Sequence, residues 1–554
     1  MCIRSILIYA LILLGTGIGL ISCDRRSDRP AGEFRFVNRG DIITLDLNNM
    51  SYLQDFRVTN AIREGLYTFD PETFRPVSAL AIEDSVSSDG RTWTFKLRPD
   101  ARWDNGDPVV AEDFIFSWKL LLESPGEYTY LLHYIEGAEE FQQARTEGKE
   151  VSFDQTVGVE APDSHTLIVR LVNPVPFFRD LMAFPTFFPR HARSMEPFKV
   201  TDAQGRVGYR PEYTRPPHVV TNGPFKLVKW ESGRLLRMEP NEYYWDRASV
   251  KLRAIENIVT NDPQSAFLQY ENGEVDWLAD VSQDIAYPLK EKGRSDLRTA
   301  PAFGTAFITV NCAPTVPELN REKNPFSDPR VRTAVSMAID RERLITSVTR
   351  MGEKPALHYM PPGFFEGYQA RPIRNDGIET ARKLLAEAGY PDGKGFPTVS
   401  LIYNSDNTIR RDLAASISNQ LRTNLGINVE SKGIELKSYR SLLTGRQYTL
   451  GLAAWFGDYM DPSTFMDKYL SNSENNDSNW GPSEYDELIA RARREVDPGK
   501  RYDLLGQAES MINAELPIIP LYHYVNISLY RDNVKGLYTN AKNLTLFKTI
   551  SVER

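Results

Sequence analysis

Trp93, Phe95 and Leu97 alternate with polar residues, the period-two pattern of a half-buried strand. Asp104-Asn105-Gly106 follows as a turn. Phe114, Ile115, Trp118, Leu121 and Leu122 then recur on one face of a predicted helix. A second helix opens at Asp328-Pro329, an N-cap followed by proline at the first helical position. Val331, Ala334, Val335, Ala338 and Ile339 make its apolar side. A third, over 379–388, carries Ala381, Leu384, Leu385 and Ala388 and stops at Gly389. Ser483-Glu484-Tyr485-Asp486 fits a capping box, with Leu488, Ile489 and Ala492 behind it. Helical and strand patterns alternate irregularly and no fixed-period repeat is visible, so a mixed α/β (α+β) protein is expected rather than a solenoid.

The N-terminus follows a different rule. Arg4 precedes an uncharged run, Ile6–Ile21, of 16 residues, which reads as the core of an export signal over residues 1–22. The run is short for a membrane span. Leu20-Ile21-Ser22-Cys23 is similar to a bacterial lipobox, which implies acylation of the Cys23 thiol and a lipid-anchored mature N-terminus. The polar residues up to 33 then form a tether. Of the three cysteines, Cys2 leaves with the signal and Cys23 carries lipid. Cys312 is left as a small hydrophobe without an intramolecular partner.

Composition narrows the classes further. The chain of 554 residues carries 66 Lys and Arg against 74 Asp and Glu, a formal charge of −8. That balance lacks the basic stripe that nucleic acid requires. Apart from the signal no segment is apolar enough to span a bilayer. GxSxG, HExxH and GxxxxGK[ST] are all missing. The six histidines lie at least 26 residues apart, and no catalytic or metal-binding residue and no cofactor is assigned.

Several stretches together resemble the bacterial extracellular solute-binding proteins of family 5. They are TWTFKLRPDARWDNGDPVVAEDFIFSWK (92–119), TNGPFKLVKW (221–230), PFSDPRVRTAVSMAIDR (325–341), ARKLLAEAGYPDG (381–393), AAWFGDYMDPSTF (453–465) and IPLYHYVN (519–526). Six motifs in register are far more specific than any one. The resemblance implies a bilobal periplasmic-binding-protein fold (type II, cluster C-like) with an extra inserted domain and a ligand cleft between the lobes. Lobe one would comprise 34–63, 192–303 and 526–554, the inserted domain 64–191, and lobe two 304–525.

The oligopeptide-binding members of that family are similar to this chain at Trp455, Asp458 and Tyr459. Their aspartate pairs with the peptide's α-ammonium group, and Asp458 inherits that expectation. Ser51–Leu53 and Ala454–Phe456 look like the two strands that flank the peptide, contributing backbone more than side chains. Asp461 reads instead as a turn cap before Pro462. The chain also departs from those members. Phe456 stands at the position of a disulfide cysteine, Leu452 at that of an arginine that meets the peptide carboxylate, Leu436 at that of a pocket tryptophan and Ser51 at that of a glutamate. Arg410 and Arg411 lie near the other carboxylate partner and are candidates for its role.

The implied function is capture of oligopeptides outside the inner membrane and delivery to an ABC-type permease by a monomeric lipoprotein, without catalysis. One alternative keeps the fold and changes the ligand to murein peptide, dipeptide, metal chelate or haem. Another is a peptide-sensing or chaperone-like lipoprotein with no transport role.

Overall fold

A computed structural model describes residues 30–553 apart from 39, 202–206, 321 and 407. The expected signal, Cys23 and most of the tether lie outside the described residues.

The alternating segment at 92–97 forms the strand Thr92–Leu97, with Trp93, Phe95 and Leu97 buried. It belongs to a four-stranded sheet in the order Ala81–Val86, Thr92–Leu97, Thr166–Arg170, Val159–Asp163. Helix Ala111–Glu123 packs Phe114, Trp118 and Leu121 into the same core. Asp113 secures its start: its Oδ2 accepts from the Val110 N–H at 3.0 Å and from Trp103 Nε1 at 3.0 Å. A donor that the first helical turn would otherwise orphan is thereby satisfied.

The main sheet has eleven strands. In spatial order ten of them are Phe225–Glu231, Leu235–Pro240, Ala254–Ile258, Glu33–Val37, Trp277–Leu278, Ile518–Tyr530, Leu297–Val310, Leu450–Phe456, Val399–Asn404 and Val429–Ile434. The eleventh, Lys354–Pro355, pairs with Ile518–Tyr530. Two strands are much longer than the rest, Leu297–Val310 with 14 residues and Ile518–Tyr530 with 13. They pair antiparallel, and their register shifts between Pro301 and Thr305. Beyond one end Trp277–Leu278 pairs with Leu529 and Tyr530, and beyond the other Leu450–Phe456 pairs with Gly304–Val310. Each half of the sheet has its own apolar packing. Phe34, Phe36, Phe225, Trp277 and Phe547 cluster on one half, and Ile308, Val331, Val335, Leu401 and Leu421 on the other.

The predicted helix at Asp328 forms as Pro329–Met337, with the Asp328 side chain accepting from the Arg330 N–H at 2.9 Å. The third is Ile378–Glu387, and Gly389 beyond it has φ +100°, a conformation that favours glycine. The capping box at 483–486 does not form. Helix Ser483–Arg494 starts after Pro482 without a side-chain cap. Asp486 instead accepts from the N–H and Oγ of Ser471 at 3.1 and 2.5 Å, a tertiary partner that outbids the local one.

Candidate ligand-binding cleft

The strand Leu450–Phe456 is unequally paired on its two edges. One edge meets the long strand from Val310↔Leu450 to Gly304↔Phe456. On the other, Val399–Asn404 pairs only with Leu450 and Gly451. The Gly457 N–H donates to Phe303 O at 3.0 Å and the Asn311 N–H to Thr449 O at 3.1 Å. Antiparallel ladders alternate, so residues 451, 453 and 455 bond to the long strand while Leu452, Ala454 and Phe456 aim N–H and C=O away from it. Leu452 O accepts from Tyr439 Oη at 2.5 Å and from Arg410 Nη1 at 3.4 Å. Among the described residues, none pairs with Ala454 or Phe456 on that side. The result is a short open edge able to accept an extended chain.

Two glycines let aromatic rings lie across this strand pair. A Cβ on Gly304 would sit 2.3 Å from Phe456 Cδ1, and one on Gly457 would sit 2.2 Å from Phe303 Cε1. Phe456 is 47% exposed, unusual for so large an apolar ring, and meets Tyr524 with ring centroids 4.9 Å apart.

Asp458 follows two residues beyond the edge. Its N–H donates to Thr464 Oγ1 at 2.9 Å, and Trp455 Nε1 donates to Thr464 O at 2.8 Å, which closes the turn. The half-buried carboxylate accepts from Tyr128 Oη at 3.3 Å and Tyr130 Oη at 3.2 Å. Lys542, from the segment after Ile518–Tyr530, donates to Gly457 O. Burial raises the Asp458 pKa, opposed by the Lys542 ammonium and the two hydroxyls. Burial also pulls Lys542 down to about 8, against the pull of Asp458. The two tyrosines are pushed well above their ordinary value by burial and by the same carboxylate. This is a partly dehydrated anionic site with three hydrogen-bond donors around it.

The other predicted site residues divide. Ala454 and Phe456 lie on the open edge. Trp455 is committed to packing, its ring against a buried cluster and 5.3 Å from Lys468 Nζ. Tyr459 turns away from the edge: it is 3% exposed and stacked on Phe177 at 4.6 Å. Its ligand-facing role is therefore corrected to one of joining this turn to the core around the four-stranded sheet. Ser51–Leu53 is not a strand. Tyr52 is an extended N-cap whose carbonyl accepts from the N–H groups of Asp55 and Phe56, and Leu53 begins the helix Leu53–Ile62. Arg410 reaches the strand at Leu452, whereas Arg411 is exposed and paired with Asp412 at 3.0 Å. Asp461 caps the Ser463 N–H at 2.9 Å, as expected, and also forms a buried fork with Arg501 at 2.7 and 2.8 Å. Cys312 is half-buried, and burial pushes its thiol up to about 11, which suits packing and not nucleophilic work. Sequence reasoning missed Tyr128, Tyr130 and Lys542, whose surroundings in the chain carry no mark of the site.

Residues 75–477 match the family model described as bacterial extracellular solute-binding proteins, family 5 middle. The chain belongs to this family. It is 31% identical over 471 residues to the oligopeptide-binding protein OppA of Bacillus subtilis, an alignment that covers 83% of this chain and 82% of that one. It is also 31% identical over 467 residues to the periplasmic murein peptide-binding protein MppA of Escherichia coli, covering 82% and 81%. A solved periplasmic oligopeptide-binding protein of Borrelia burgdorferi superposes with a TM-score of 0.78 at 28% identity, over 94% of this chain and 100% of that one. The fold is thus the mixed α/β, bilobal one of the periplasmic peptide-binding proteins. Family 5 is a family of binding proteins and not of enzymes.

Proposed function

We propose that this chain captures oligopeptides outside the cytoplasm and delivers them to an ABC-type permease, tethered to the membrane by lipid on Cys23. One observation carries the reading: an open strand edge at Ala454 and Phe456 runs directly into the anionic site at Asp458. A binder of varied peptides must hold what all peptides share, and an edge that offers main-chain groups followed by a carboxylate matches an extended backbone followed by an ammonium. From Ala454 to Phe456 the open edge spans about 7 Å, room for roughly two extended residues before the carboxylate. Arg410 at its far end is suited to a terminal carboxylate. The likeness to peptide-binding relatives supports the same ligand class. In this reading the lobes are 34–63 with 192–303 and 526–554, and 304–525, with 64–191 inserted. The two long strands are the hinge, and the break in their register near Pro301 is where they flex.

Calorimetric titration with alanine tripeptides to pentapeptides tests this. Wild type should bind them, and Asp458→Ala should weaken binding by a hundredfold or more, about 2.8 kcal/mol. Unchanged titration of Asp458→Ala would rule out the assignment of this cleft.

A further inference from the structure

We infer that Lys542 is a built-in counter-ion for Asp458 and sets how sharply the cleft distinguishes a free ligand amine from a blocked one. The inference rests on the peptide-binding reading above and names the residue that governs its selectivity.

Three parts of the fold converge on Asp458. Tyr128 and Tyr130 come from the unit around the four-stranded sheet, Asp458 from the turn after Leu450–Phe456, and Lys542 from the C-terminal segment. The backbone on both sides of Lys542 is pinned. Ala541 O accepts from the Phe303 N–H at 2.9 Å and Asn540 O from Asn526 Nδ2 at 2.8 Å. On the far side, Asn543 O accepts from Arg57 Nε at 3.1 Å. The Lys542 side chain carries its ammonium to the carbonyl of Gly457, the residue before Asp458, within Coulombic reach of the Asp458 carboxylate though not in contact with it. Burial opposes the charge of both groups, and each offsets that cost for the other.

The consequence concerns the ligand. A carboxylate has about four acceptor directions, and two of those on Asp458 are taken by the tyrosines, so an arriving ammonium has somewhere to bind. With Lys542 charged one residue away at Gly457 O, a free amine enters as a second cation in the field of Asp458, and part of its attraction is already spent. A blocked amine, in turn, does not strand Asp458, because Lys542 still balances it. Lys542 therefore flattens discrimination at the amine end and widens the range of ligands the cleft accepts. Were its charge removed, Asp458 would depend on the ligand for its counter-ion, and stranding a buried charge is costly.

The test uses the full chain, with alanine tetrapeptide and its N-acetylated form as probes and Kd from calorimetry. Lys542→Met should raise the ratio of acetylated to free Kd at least tenfold over wild type, by tightening the free peptide and weakening the blocked one. Lys542→Gln keeps a donor for Gly457 O while removing the charge, and should do the same if the methionine variant folds poorly. Lys542→Arg should stay within threefold of the wild-type ratio. If Lys542 merely braces Gly457, the methionine variant will weaken both peptides equally and the ratio will not move, which overturns the inference while leaving the cleft in place. If Asp458→Ala retains wild-type affinity and ratio, the peptide-binding reading itself falls, and this inference with it.

Discussion

Asp461 stands three residues from Asp458 and does entirely different work, and replacing it should expose the difference. Both members of the Asp461–Arg501 pair are 5% exposed at the side chain, with oxygen to nitrogen distances of 2.7 and 2.8 Å. Ser463 adds its N–H at 2.9 Å and its Oγ at 2.6 Å, and Phe177 lies under the guanidinium at 5.5 Å. Asp461→Asn keeps the volume and a cap for Ser463 but leaves Arg501 buried and uncompensated. Breaking a buried pair from one side costs about 3–5 kcal/mol. At roughly 2–4 °C per kcal/mol for a body of about 200 residues, the melting temperature should fall by roughly 6–20 °C. The double variant Asp461→Asn with Arg501→Met removes both charges and should recover part of that loss, with a coupling energy of at least about 1 kcal/mol. Calorimetric melting of the four ligand-free proteins measures this, while peptide affinity at a temperature where all are folded should barely change. A single variant that melts within about 2 °C of wild type would refute the reasoning. A turn cap was legible from Asp461-Pro462, but the arginine 40 residues away was not.

Two further outcomes are expected. Cys23→Ala should abolish incorporation of radiolabelled fatty acid, and undiminished labelling would exclude this residue as the anchor. His523, buried and with its Nδ1 2.8 Å from Thr305 Oγ1, has its pKa drawn down to about 3 by burial and by the nearby His358 and Lys354. Its folded pKa is depressed below the unfolded value of about 6.5. Its contribution to stability is therefore complete above about pH 6.5 and is lost as pH falls toward about 3. An NMR titration should find this imidazole neutral at about pH 5, and a midpoint near 6.5 would contradict its placement.

Where one segment supplies both the pattern and the partners, the chain was readable. Trp93, Phe95 and Leu97 alternate because one face of their strand is core, and Asp328 caps a helix that starts at the next residue. Reading failed where a distant group competes with a local one. Asp486 is spaced correctly for a capping box, yet Ser471 offers it two donors at once. Ser51–Leu53 has an extended stretch but no strand neighbour, so its carbonyl at Tyr52 turns to the helix that follows. The cleft repeats the pattern. Asp458 was singled out by the Trp455–Tyr459 resemblance. The hydroxyls that bind it lie 330 and 328 residues away, and the ammonium at the carbonyl of the preceding Gly457 is bonded across 85 residues. No periodicity or spacing carries information over such distances, because the tertiary fold alone brings those groups together.

An open strand edge is ordinarily a hazard, since unpaired N–H and C=O groups invite pairing with other chains. Here the hazard is confined to two residues. Tyr439 and Arg410 occupy the carbonyl of Leu452, which closes the edge at one end. At the other, the chain turns at Gly457 and is tied down through Thr464. Phe456, laid over Gly304 and against Tyr524, covers the strand face next to the opening. A long sheet from another molecule would find too few groups to pair with, whereas a short extended segment finds main-chain partners and, two residues further on, a carboxylate. The dimensions that protect the protein from edge-to-edge association are the same ones that, in the proposed function, would suit a short peptide.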